Sequence, residues 1–374
     1  MKSNSHSPPI QYFVGLDVHR DTISASVYDA DHRRFCEEKT FCAHSPTELA
    51  RFVDALKSKY DVFRCCYEAS YSGTAFYEAM TDLGADCAII APGSIPRSHR
   101  DRIKTDRRDS RKLSEYFAAG LLTECYVPDK EWLAARTLTR RRGDLIKELH
   151  RSKMRVIHFL HQQGHCYTGG GNWTQKFMTW INQIELDYPS DEFTLQEDLD
   201  GIAFLESRIQ LIEEQIQATS ELPRFQEQVQ ILQAFRGIGL ITAMDLLCEI
   251  IDFRRFDHPS SLMAYLGLVP SQNSSGNTIR TGGITKTGNA RARKALVSAA
   301  WKYMYRPRVS VALAERQKKC SSAVLAISQR SQKRLHKRFH ALNARKSPKV
   351  VVVAIARELV GFIWEAMQLP AQTQ

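Results

Sequence analysis

The sequence predicts an α/β domain at its N-terminal end, followed by a largely α-helical remainder. Three observations predict it. Short β-rich runs alternate with helix-spaced apolar residues as far as about residue 125. Beyond residue 130, apolar side chains recur mostly at gaps of three and four. Glycines and prolines punctuate the boundaries between these runs.

Residues 12–18 and 22–28 are short β-rich runs and 33–41 reads as a third, so a meander opens the chain. Residues 46–60 carry helical spacing through Leu49, Phe52, Val53 and Leu56. Residues 62–67 read as a buried strand, 73–83 as a helix, and 87–91 as a strand ended by Pro92-Gly93. A helix follows over 106–119, with Thr105 as its N-cap.

Residues 131–162 are helical and basic, with Arg136, Arg140, Arg141, Arg142, Lys147, Arg151, Lys153 and Arg155. Few acids stand beside these bases, which favours a phosphate-facing surface. Gly169-Gly170-Gly171-Asn172 breaks the structure, and 173–184 reads as a short helix. Leu195, Leu199, Ile202, Leu205, Ile209, Ile212 and Ile216 suit an antiparallel helix pair or short coiled coil. Pro223 separates this region from the next.

With 374 residues, 43% of them hydrophobic and 25% charged, the chain has the composition of a globular protein of two or three domains. Its formal charge of +11 favours a polyanionic partner. Nine cysteines, none in a C-x-x-C pair, point to reduced thiols. Residues 1–10 carry no signal-peptide pattern, and no apolar run reaches the roughly 18–20 residues that span a membrane. The expected location is the cytoplasm.

The chemistry-bearing residues begin with Lys104-Thr105-Asp106-Arg107-Arg108-Asp109. Asp106 and Asp109, three apart on a helix, share one face. Asp17 and Glu68 stand where two short hydrophobic runs stop or turn polar. Such carboxylates suit a divalent cation, and Arg107 and Arg108 suit a phosphodiester. A second centre begins at Phe235-Arg236-Gly237-Ile238-Gly239, a turn that resembles the helix-hairpin-helix module, in which Gly237 and Gly239 would let backbone N–H groups approach phosphate. Downstream, residues 266–294 read as a loop rich in glycine, hydroxyls and bases, whose backbone amides, Lys286, Arg291 and Arg293 would wrap phosphate. The loop feeds a helix over 291–305.

The element order β-β-β-α-β-α-β-α is that of an RNase H-like domain. The quoted motifs go further. Gly15-Leu16-Asp17-Val18-His19, Tyr67-Glu68-Ala69, the Lys104–Asp109 segment, Gly-Leu-x-Pro-x-x-x-x-Ser-Gly at 267–276, and Gly283-Ile284-Thr285-Lys286-Thr287-Gly288-Asn289 stand in a characteristic order. Together they resemble the insertion-sequence transposases that join a RuvC-like DEDD domain to a serine-bearing transposase domain and act as bridge-RNA-guided recombinases. The likeness runs from about residue 11 to the helix at 350–367. It departs at Ala69-Ser70-Tyr71-Ser72-Gly73, where many relatives have Thr-Gly directly after the alanine.

The resemblance implies four parts: a RuvC-like domain at 11–125, a basic helical and coiled-coil region at 126–230, a transposase domain at 231–305, and basic helices at 306–374. It implies Mg²⁺, with Mn²⁺ as a substitute, on Asp17, Glu68, Asp106 and Asp109. It implies Ser275, ahead of the adjacent Ser274, as a nucleophile joined covalently to DNA. Donor and target DNA, a structured non-coding guide RNA and a homodimer or homotetramer are the implied partners. The setting is bacterial cytoplasm, at the nucleoid when acting. A rival reading is a hydrolytic RuvC-like endonuclease in which Ser275 only contacts phosphate. A third is a non-catalytic nucleic-acid-binding protein.

Three further groups bear on function. His158, His161, His165 and Cys166 have spacings that suit zinc but lack a second cluster, and read as surface and core residues. His19 falls on the face of Asp17 by strand period. The bases Arg330, Lys333, Arg334, Lys337, Arg338, Arg345, Lys346 and Lys349 read as a nucleic-acid contact.

Overall fold

The computed structural model describes residues 10–70, 72–96, 105–275 and 278–370, with backbone alone at 273–275, 278 and 279. Two compact units divide the chain, Met1–Pro128 and Asp129–Gln374. The parts expected at 126–230, 231–305 and 306–374 fall together in the second unit from Asp129 onward.

The first unit is a mixed sheet with helices on both faces. Its strands are β1 (Tyr12–Val18), β2 (Thr22–Asp29), β3 (Arg34–Cys42), β4 (Phe63–Glu68) and β5 (Cys87–Ile90), in the order β3-β2-β1-β4-β5. β1 runs antiparallel to β2 and parallel to β4. The helices are α1 (Pro46–Lys59), α2 (Ala75–Asp82) and α3 (Asp106–Ala118).

Strand alternation sorts the two faces. Val14, Leu16, Cys65 and Tyr67 point to the side covered by Leu49, Phe52, Val53 and Leu56 of α1 and Met80 of α2. Phe13, Cys66, Ala88 and Ile90 pack on the other side against Leu113 and Phe117 of α3. Each fully buried Val, Leu, Ile, Phe or Met among them contributes roughly 1.5–3 kcal/mol. Helix α1 begins where the Ser45 hydroxyl accepts from the Glu48 N–H, with Pro46 at the first turn. Helix α3 begins the same way at Thr105, whose hydroxyl accepts from the Arg108 N–H.

In the second unit, α4 (Lys130–Gln162) and α6 (Pro189–Ser220) are joined through α5 (Gln175–Ile181). Ion pairs Arg142–Glu213, Lys153–Glu206 and Arg155–Asp198 descend one helix as they climb the other, so the pair is antiparallel. Leu195, Ile202, Ile209 and Ile216 are its buried residues at heptad spacing.

The rest of the unit comprises α7 (Pro223–Gln233), α8 (Leu240–Ile250), α9 (Pro259–Tyr265), β6 (Pro270–Ser275), β7 (Thr278–Ile284), α10 (Ala290–Ala300), α11 (Val311–Gln317), α12 (Ser322–Asn343) and α13 (Pro348–Met367). Leu246, Leu247, Leu296, Ile355, Leu359 and Ile363 from α8, α10 and α13 share one large core. Among the described residues no helix is long and apolar enough to cross a membrane, and all nine cysteines are free thiols.

Candidate active site

Parallel pairing of β1 with β4 matches Leu16 to Tyr67. One residue further along each strand stand Asp17 and Glu68, and alternation turns both toward the α3 face. Gly15 decides how close that helix comes. A Cβ there would stand 2.1 Å from the Ser110 carbonyl oxygen and 2.5 Å from the Ser114 nitrogen. The Ser26 and Ser110 hydroxyls bond at 2.7 Å across the same contact. Asp106 and Asp109, in the first turn of α3, are thereby brought over the end of β1.

His19 Nε2 lies 3.1 Å from Asp17 Oδ2 and 3.4 Å from Asp106 Oδ1, so the imidazole stands between two carboxylates. Asp17, His19 and Asp106 each offer a ligand atom within 4.8 Å of the others. Glu68 and Asp109 are outside that group. Burial pushes the Asp17 carboxyl above the usual range, with Asp106 and Asp109 adding repulsion and His19 opposing it. Carboxylate oxygens that repel one another, with an imidazole nitrogen within reach of both, are a donor set that fits a divalent cation.

Of the basic neighbours, Arg107 ion-pairs with Glu38 on β3, as does Arg111. Arg108 is exposed on the first turn of α3. Lys104 lies outside the described residues. In the second unit, Arg140 bonds Glu249, Arg141 bonds Glu148, and Arg142 bonds Glu213. Local sequence shows bases with few acids beside them; Glu249 and Glu213 arrive from α8 and α6. His158, His161, His165 and Cys166 form no cluster of metal-ligand geometry among the described residues.

Residues 270–284, expected within a loop, form the hairpin β6–β7, in which backbone pairs run from Pro270↔Ile284 to Ser275↔Thr278. Ser275 is thus the last paired residue of β6. Its side chain and that of Ser274, like all of Gly276, lie outside the described residues. Two glycines clasp the base of the hairpin. Gly267 (φ +63°) would place a Cβ 2.1 Å from the Thr287 carbonyl oxygen, and Gly288 (φ +80°) would place one 2.0 Å from that of Tyr265. Arg293 reinforces the clasp by donating to the Leu266 carbonyl at 2.8 Å and the Thr287 carbonyl at 3.4 Å. Arg291 bonds Asp144 at 3.2 Å. Lys286 is exposed, with φ +58°. Gly237 (φ +87°) passes so close to α10 that a Cβ would meet the Ala299 carbonyl oxygen at 2.5 Å. Gly239 is the N-cap of α8.

Residues 14–164 match the DEDD transposase family of IS110 elements, and residues 229–313 match the family described as Transposase IS116/IS110/IS902. The protein y4qE of Sinorhizobium fredii, which carries a transposase name, is 34% identical over 362 residues, covering 96% of this chain and 90% of its own. The chain belongs to the IS110/IS116 transposase family. The transposase for insertion sequence element IS1533 of Leptospira borgpetersenii is 29% identical over 89% of this chain and 97% of its own length. That for IS1111A of Coxiella burnetii is 24% identical over 66% of each.

In this transposase the first family match spans β1, β4 and α3, the elements that carry all four acids. The second spans the Gly237 turn and the β6–β7 hairpin. Sequence reading passed over Glu249, which is 2% exposed and binds Arg140 through Nε and Nη2 at 2.8 and 2.9 Å and Asn289 Nδ2 at 2.7 Å. Burial opposes its charge, but the Arg140 and Asn289 bonds outweigh that and hold its carboxyl below the usual range. Asn289 also caps α10. Glu249 thus ties α4 and α8 to the end of the hairpin segment.

Proposed function

We propose that this transposase cuts and rejoins DNA with Asp17, Glu68, Asp106 and Asp109 as holders of a divalent cation and Ser275 as nucleophile. The observation that carries the reading is the His19 imidazole set between Asp17 and Asp106. Acids almost ninety residues apart in the chain converge there, in a family that the DEDD acids name. The strand order and the position of α3 support an RNase H-like, RuvC-like domain.

Mg²⁺ or Mn²⁺ at this site supplies Lewis-acid neutralisation of phosphate charge. Asp17, half-buried and crowded by like charge, would be a primary holder with Asp106; Glu68 and Asp109 complete the set at its rim. Ser275 Oγ attacks phosphorus: its O–P bond forms, the P–O bond to the leaving deoxyribose oxygen breaks, and that oxygen departs as a hydroxyl carrying the serine proton. Attack by a second strand's hydroxyl reverses the step and frees the serine. The phosphodiester energy is conserved, so no nucleotide cofactor is consumed. Ser275 is the last paired residue of β6, in a hairpin whose base Gly267 and Gly288 clasp. A structured guide RNA and a homodimer or homotetramer are the proposed partners, with Arg108 and Lys286 as nucleic-acid contacts.

The test is recombination between donor and target DNA with the element's flanking RNA supplied. Wild type should give a covalent protein–DNA adduct on a denaturing gel. Ser275→Ala should lose it, Ser274→Ala should keep it, and Asp106→Asn should abolish strand cutting. Mg²⁺-dependent cutting with no adduct would instead establish the hydrolytic endonuclease, and recombination without RNA would remove the guide.

A further inference from the structure

The second unit contains a cavity of about 890 Å³ far along the chain from the acids. Five cations line it, Arg236, Lys302, Arg306, Arg308 and Arg316, and among the described residues no acid does. Arg236 Nη1 donates to the Tyr305 and Arg306 carbonyls at 3.1 and 2.8 Å, which fixes the segment presenting the next bases. Arg316 Nη1 donates to the Ile238 carbonyl at 2.9 Å, while its buried Nε has no partner among the described residues. Lys302, Arg306 and Arg308 are exposed. Burial lowers the pKa of Arg236, with Tyr303 opposing and Arg308 adding to the fall, so like charges are crowded here.

Gly239 lines the same cavity and caps α8, an 11-residue helix, without any side-chain hydrogen bond. Its N-terminal amides and dipole add to the positive field. Tyr305 also lines the cavity and is 56% exposed, an aromatic face beside the cations. Cations that follow a backbone, joined to an exposed ring on which a base stacks, make the pattern that holds unpaired nucleotides. The volume lies near the upper end of roughly 300–1,000 Å³ for ligand pockets, which suits a short strand segment and not a duplex.

We infer that this cavity binds an unpaired nucleic-acid segment, with its phosphates on Lys302, Arg306, Arg308 and the α8 amides and a base on Tyr305. The inference deepens the proposed function, resting on the chain's action on nucleic acid but not on cutting. DNA separated from its complement and an unpaired stretch of RNA share this chemistry.

The test is fluorescence anisotropy of the full chain, in chelator so that nothing is cut, with single-stranded DNA, single-stranded RNA and duplex DNA of about twelve nucleotides. Lys302→Gln/Arg306→Gln/Arg308→Gln should weaken single-strand binding tenfold or more. It should also reduce the salt slope by about two, near 0.7 for each of three phosphate contacts. Tyr305→Ala should weaken it about tenfold with an unchanged salt slope and unchanged duplex binding. The strand type that loses affinity names the ligand; loss on both names a general strand groove. Single-strand affinities equal to wild type in the triple variant would overturn the inference, as would equal losses on duplex and single strand for Tyr305→Ala. A chain that fails to cut DNA with divalent cation present would leave this readout intact.

Discussion

Gly15 and Ser110 meet at backbone contact: a Cβ on the glycine would stand 2.1 Å from the serine carbonyl oxygen. This approach seats α3 on β1 and thereby sets Asp106 and Asp109 above Asp17. The closeness that builds the acidic pocket is a packing requirement as much as a chemical one.

Gly15→Ala should therefore destabilise the first unit by about 3 kcal/mol, the upper range for overpacking. Urea denaturation measures the loss, and divalent-dependent cutting should fall with it. Unchanged stability would mean that α3 can move off the sheet freely.

Gly201→Ala provides the opposite sign. Gly201 sits inside α6, and a methyl added there would have no neighbour within 4 Å. Alanine there should raise stability by roughly 0.8–1 kcal/mol, the difference in helix propensity. The same denaturation experiment reads it.

Arg140→Ala should destabilise the second unit by about 3 kcal/mol, because Glu249 would keep its burial and lose its two-pronged partner. A loss under about 1 kcal/mol in urea denaturation would show that Asn289 suffices.

Asp245, on α8, has its carboxyl pushed up to about 6 by burial, with Arg142 and Arg291 opposing. The folded state then holds this proton more tightly than the unfolded chain between pH 3.8 and about 6. Stability from this group falls as pH rises through that window, and the penalty is complete above it. Asp245→Asn should remove that slope and raise stability at neutral pH by about 1–3 kcal/mol. Parallel stability–pH curves for the two proteins would refute the assignment.

Mg²⁺ should raise the melting temperature of the wild-type chain, with an apparent gain of about 2.7 kcal/mol at a hundredfold excess over Kd. Asp17→Asn and Asp106→Asn should lose that shift. Its persistence in both variants would place the cation elsewhere.

Much of the first unit was legible because its signals are local. Thr105 was readable as a cap, since a hydroxyl before a helix-spaced run satisfies an orphan N–H. Alternation in β1 separated Leu16 from Asp17 and put His19 on the face of Asp17. The hairpin was not legible: Gly267 and Gly288 look like loop residues until their contacts with Thr287 and Tyr265 are seen. The partners of Arg140 and Arg142 were equally hidden, because Glu249 and Glu213 are 109 and 71 residues away.

The sequence by itself determined the order of elements in the first unit, the strand and helix addresses of Asp17, Glu68, Asp106 and Asp109, and the heptad spacing of α6. These follow from steric and hydrophobic rules that act within a few residues. Tertiary structure alone decided which charges remain free. It spent Arg140, Arg142 and Arg107 on carboxylates while gathering Arg236, Lys302, Arg306, Arg308 and Arg316 around one cavity. Charge acts through space, and a chain's neighbours in space are fixed only when it folds.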